Sequence, residues 1–85
     1  MPGGSPPPAG RRGLALALHQ LRSKAGLSQD ALAERADLPP LTIAGIESGT
    51  CDPTWGDMRR VAAALGVTLE ALSELAEQYE LEREV

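Results

Sequence analysis

Between Ser28 and Glu47 two short helical runs stand only a few residues apart. Ser28 is a good N-cap, because its hydroxyl accepts a hydrogen bond from an otherwise unpaired backbone N–H. Asp30 follows where negative charge favours a helix start. Leu32, Ala33 and Ala36 share one face of this run. Asp37 and Leu38 leave room for a very short turn, and Pro39 and Pro40 come next. Proline is tolerated in a first helical turn, where the missing N–H has no partner to lose. A second run therefore extends from about residue 40 to 47, with Ile43 and Ile46 inward and Gly49 ending it. Two helices this short, joined this tightly, cannot lie antiparallel; they cross steeply.

The flanking segments are helical too. Leu14, Leu18, Leu21 and Ala25 fall on one face of a run that Gly26 stops, while Leu16 points away from that face. Thr54 with Asp57 reads as a capping box for a helix that buries Trp55, Met58, Val61, Ala62 and Leu65 and ends at Gly66. Thr68 can cap a last helix with Leu69, Leu72, Leu75, Ala76 and Tyr79 on one side and most of its glutamates on the other. The expectation is an all-α fold of five helices, at about 14–25, 29–36, 40–47, 55–65 and 69–82. Abundant Leu and Ala with scarce Val and Ile agree with it. With 85 residues the chain suffices for one domain, expected at 13–82. Residues 1–12, rich in Pro and Gly, read as a disordered arm closed by Arg11 and Arg12. That arm is either a solubilising tail or a basic extension toward a phosphate or a minor groove.

Composition narrows the function. One cysteine, Cys51, forms no internal disulfide, and a reducing cytoplasm is the expected location. No apolar run is long enough for a membrane span, and no signal peptide is evident. Single His19 and Cys51 give no metal cluster and no acid–base constellation. No enzyme, cofactor or small-molecule ligand is therefore expected. The net charge of −4 is unevenly spread. Residues 67–85 set six glutamates against Arg83, for −5, whereas residues 1–66 hold seven basic and six acidic residues, for +1. A near-neutral body permits nucleic-acid binding without itself predicting it.

Three motifs in order carry a family resemblance. They are Arg22-x-x-x-Gly26-Leu27-Ser28-Gln29-x-x-Leu32-Ala33, then Ile43-x-x-Ile46-Glu47-x-Gly49-x-x-x-Pro53, then Val61-Ala62-x-Ala64-Leu65-Gly66-Val67. Over about residues 14–72 the chain resembles the Cro/repressor (XRE) family of lambda-repressor-like, compact five-helix DNA-binding domains. The resemblance implies a helix-turn-helix at helices two and three, and a bacterial transcriptional regulator that offers helix three to the major groove of double-stranded DNA. It places Gln29 at a phosphate contact and Arg22 with Glu47 as a structural interhelical ion pair. The base-reading surface falls at Pro39, Pro40, Leu41, Thr42 and Gly45, with Ser48 and Thr50 as further contacts.

At that surface the chain departs from the family. Reading base edges ordinarily uses Arg, Lys, Gln or Asn. Here only Thr42 is polar among Pro39, Pro40, Leu41, Thr42, Ala44 and Gly45. Leu41, Ala44 and the Thr42 methyl suit a thymine methyl, and Gly45 would allow close backbone approach. Asp37 occupies the usual place of a turn glycine. The alternative is a protein–protein interaction module on the same fold, using the apolar Pro39–Pro40–Leu41 surface. Leu75 and Tyr79 either fold back on helix one or form a homodimer contact, as paired domains read paired half-sites.

Overall fold

A computed structural model of the chain describes residues 9–83. Five helices follow in order: α1 Ala9–Lys24, α2 Gln29–Ala36, α3 Pro40–Ser48, α4 Trp55–Leu65 and α5 Leu69–Arg83. The described residues contain no strand. No helix among them is long and apolar enough to cross a membrane. Helix α1 begins at Ala9, so residues 9–12 of the expected arm are helical; residues 1–8 lie outside the described residues, as does the side chain of Arg11.

Four helix ends share one device. After α1, α2, α3 and α4 the chain enters the left-handed region at Gly26, Asp37, Gly49 and Gly66. The N–H of the next residue then reaches five residues back: Leu27 to Arg22, Leu38 to Ala33, Thr50 to Gly45 and Val67 to Ala62, at 2.9–3.1 Å. This is the Schellman motif, which satisfies orphan carbonyls and turns the following residue back onto the helix. Leu27, Leu38 and Val67 accordingly pack against the core. At the end of α3 that position is Thr50, exposed and polar. The helix starts are capped as their sequences imply: Ser28 accepts from Ala31, Thr54 and Asp57 form a reciprocal capping box, and Thr68 accepts from Ala71.

One cluster of buried residues joins Leu18 of α1, Leu32, Ala33 and Ala36 of α2, Ile43 and Ile46 of α3, and Val61 of α4. A second joins Ala17, Ala62 and Leu72, with Leu75, Ala76 and Tyr79 packed against it. Helix α5 thus folds back on α1, its most extensive neighbour. Gly13 makes that approach close: its N–H donates to Glu80 Oε2, and a Cβ there would overlap the Ala76 carbonyl. Leu75 and Tyr79 are half-buried within this intramolecular contact.

Two expected core residues are not core. Trp55 is 69% exposed. At 100° per residue it lies about 70° from the centre of the α4 apolar stripe, and it stands in the first turn of the helix. Ala25 is also exposed, because α1 ends at Lys24. Leu16, which points off the inner face of α1, is 39% exposed.

Candidate nucleic-acid interface

Residues 37–39 alone separate α2 from α3. Asp37 makes the tight turn at φ 58°, ψ 47°. A short polar residue tolerates this left-handed conformation better than most others. Arg60 of α4 donates to the Asp37 carbonyl at 3.3 Å, tying the turn to the domain body. Pro39 is extended and serves as the N-cap of α3, and Pro40 opens the helix.

Helix α3 is held from inside by Ile43 and Ile46, both almost fully buried, and near its C-terminus by Glu47. The Glu47 side chain is only 7% exposed, and Arg22 of α1 grips it in a two-pronged pair. Arg22 Nε donates to Oε2 at 2.5 Å and Nη2 to Oε1 at 3.0 Å. Arg22 Nη1 also donates to the Leu27 carbonyl at 2.8 Å, so one guanidinium fixes both α3 and the α1–α2 turn. Gln29 Nε2 adds a third hydrogen bond to Glu47, at 2.9 Å. His19 Nδ1 lies 3.4 Å from Glu47 Oε1 and 3.2 Å from Arg22 Nη2. Burial alone would raise the Glu47 carboxyl. The hydrogen bonds from Arg22 and Gln29, with the Arg22 charge, outweigh it and hold the group below its ordinary range. The same carboxylate raises Arg22 against its own burial cost.

The Arg22–Glu47 pair is where the motifs put it. The engagement of Gln29 and His19 is not visible in them. The signal that points to it is chemical: a buried carboxylate has about four acceptor sites, more than one arginine fills. An amide carries two N–H donors, so Gln29 keeps one while it holds Glu47.

The remaining expected site residues divide by exposure. Pro39, Pro40, Leu41, Ser48 and Thr50 are exposed, whereas Thr42 and Gly45 are half-buried. Leu41 is 83% exposed, the most of any large apolar side chain among the described residues. Gly45 has a neighbour already: a Cβ there would stand 2.6 Å from the Cβ of Cys51. Its carbonyl accepts from the N–H groups of Thr50 and Cys51, at 2.9 and 3.0 Å. This mid-helix glycine lets the loop after α3 close over the helix. The hydroxyls of Ser48 and Thr50 pair at 2.8 Å, and Ser48 also reaches the Gly45 carbonyl at 3.1 Å. Thr50 Oγ1 also lies 3.5 Å from the Gly45 carbonyl, so the two hydroxyls and that oxygen form one small network at the end of α3.

The assembled surface therefore has a hydrogen-bonding edge at each end, Gln29 at the start of α2 and Ser48 with Thr50 at the end of α3. An apolar prow, Pro39–Pro40–Leu41, lies between them in the chain. Known proteins share this fold. The fold is similar to the clp gene regulator ClgR from Corynebacterium glutamicum, at 24% identity, with 93% of this chain and 84% of that one covered and a TM-score of 0.85. It is similar to the restriction-modification controller protein C.AhdI from Aeromonas hydrophila, at 27% identity, with 73% and 94% covered and a TM-score of 0.71. It is also similar to the restriction-modification controller protein C.Esp1396I, at 21% identity, with 85% and 93% covered and a TM-score of 0.76. No curated protein sequence matches significantly. The model of the helix-turn-helix domain matches residues 14–75, most of the chain and all of α2 and α3. This chain belongs to the helix-turn-helix domain family.

Proposed function

We propose that this chain is a DNA-binding transcriptional regulator of the Cro/repressor (XRE) type that presents α3 to the major groove of double-stranded DNA. The observation that carries the reading is the α2–turn–α3 unit. Three residues join the helices, and the Arg22–Glu47 pair clamps α3 to α1 while Leu41 and Ser48 face outward. A major groove about 12 Å wide admits one such helix. The similar proteins are named as a gene regulator and as controller proteins, which supports the same role.

In this reading the spare Gln29 amide proton and the Ser48–Thr50 hydroxyls meet phosphate oxygens on either side of the groove. Pro39, Pro40, Leu41 and Thr42 face the bases, whereas Gly45, expected to allow a close backbone approach, is covered by Cys51. The protein acts in the cytoplasm, without chemistry of its own. Two copies pair through the outer edges of Leu75 and Tyr79 to read two half-sites; sedimentation of the wild type beside Tyr79→Ala tests that contact. The interface itself is tested by a backbone-amide NMR titration with a mixed-sequence duplex at two salt concentrations. Shifts at Gln29, through α3 and at Thr50, weaker at high salt, are expected. An unchanged spectrum at low salt overturns the reading.

One observation favours a second reading. Leu41, 83% exposed beside two exposed prolines, also suits a protein partner. A protein module on this fold would leave DNA unbound and lose its partner on Leu41→Glu.

A further inference from the structure

The surface of α3 poses a problem of discrimination. From Pro39 to Thr50 there is no Arg, Lys, Asn or Gln. The one charged side chain of α3, Glu47, is buried against Arg22 and Gln29. The hydroxyls of Ser48 and Thr50 are tied to each other and to the Gly45 carbonyl. A hydroxyl both donates and accepts, so it distinguishes base pairs poorly. Thr42, Ala44 and Gly45 are half-buried, and Gly45 is further covered by Cys51.

Leu41 is different in kind. It is a large side chain, 83% exposed, in the first turn of the second helix of the helix-turn-helix. In this motif the N-terminal residues of that helix meet the base edges. In the major groove thymine alone among the four bases presents a methyl group. An apolar side chain placed there gains by covering that methyl and loses by desolvating the polar edge of any other base.

We infer that Leu41 is the specificity-determining residue of this interface and that it reads the C5-methyl of a thymine. The inference rests on the DNA-binding reading above and commits it to one chemical feature of the operator. Discrimination comes from a methyl contact in place of a bidentate hydrogen bond, and one covered methyl corresponds to roughly a four-fold change in affinity.

The experiment starts by enriching a preferred duplex from a random-sequence pool with the wild-type chain at low salt. That duplex is resynthesised with each thymine replaced in turn by deoxyuridine, which deletes only the methyl. Affinities of wild type and Leu41→Ala are measured by fluorescence anisotropy. Because Leu41 is exposed, the variant keeps the fold, checked by circular dichroism. The expected result is one position per half-site at which uracil weakens wild type about four-fold and leaves Leu41→Ala unaffected. If no single uracil weakens binding, or Leu41→Ala still responds to the same uracil, the inference is overturned while DNA binding stands. If wild type retains no duplex at low salt, the DNA-binding reading fails and takes the inference with it.

Discussion

Glu47 shows how much of the interface is decided by one side chain set behind it. Its carboxylate sits near the C-terminus of α3, where the helix dipole disfavours negative charge. It persists there because Arg22 and Gln29 converge on it. Removing it strands a nearly buried guanidinium, so Glu47→Ala should cost about 3 kcal/mol in urea unfolding. Its folded-state pKa is depressed, so its stabilisation is fully present above the unfolded-state value and is lost as pH falls through the folded value. Glu47→Gln keeps the volume and removes the charge. Its deficit relative to wild type should therefore be largest near neutrality and shrink as the pH drops below about 4, in the same unfolding measurement. Gly45 is a second such residue. Alanine would gain about 1 kcal/mol of helix propensity. Its Cβ, however, meets Cys51 at 2.6 Å, and overpacking costs about 1–3 kcal/mol. Gly45→Ala should therefore destabilise, and Cys51→Gly in the same chain should recover part of the loss, read as coupling in a double-mutant cycle.

At the scale of elements, the helices and their caps were legible because each is governed by residues within a turn of the boundary. Ser28, Thr54 with Asp57, Thr68 and the three glycines at 26, 49 and 66 act locally, and the motifs between them placed α2 and α3. The start of α1 was not legible, since Gly and Pro near residue 10 argue against helix until packing is known. The exposure of Trp55 is hidden from the sequence for a related reason: periodicity says which side of a helix a residue faces, not whether a neighbour extends far enough to cover it. At the interface, exposure of Leu41 and pairing of Arg22 with Glu47 could be read in advance. The covering of Gly45 by Cys51 could not, because it depends on the path of the loop. The turn offers its own prediction. Asp37 occupies a conformation that glycine adopts without steric cost, and the Arg60 bond is to its backbone carbonyl. Asp37→Gly should therefore stabilise by roughly 0.5 kcal/mol after the extra unfolded-chain entropy is subtracted. That amounts to about 2–4 °C in Tm for a domain of this size, with Asp37→Ala moving the midpoint the other way.

Across the whole molecule, the charge distribution opposes the proposed function in a way the interface geometry does not. The net charge is −4, and the acidity is concentrated in the segment that carries α5, apart from the helix-turn-helix in the chain. Glu70, Glu74 and Glu77 are exposed there. Their role toward a polyanion is long-range repulsion, which slows encounter without changing what is touched. Such a field reaches about 30 Å at 0.01 M salt and about 10 Å at 0.1 M, against a radius of gyration of 12.6 Å. Replacing all three by Gln should therefore raise the association rate on duplex DNA several-fold at about 0.01 M salt, and the gain should vanish toward 1 M. The dissociation rate should hardly move, because no group proposed to contact DNA has changed. Stopped-flow anisotropy at the two salt concentrations separates the rates. A gain that persists at high salt, or that appears in dissociation, would mean that α5 lies against the DNA, which would require a different docking of the domain from the one proposed.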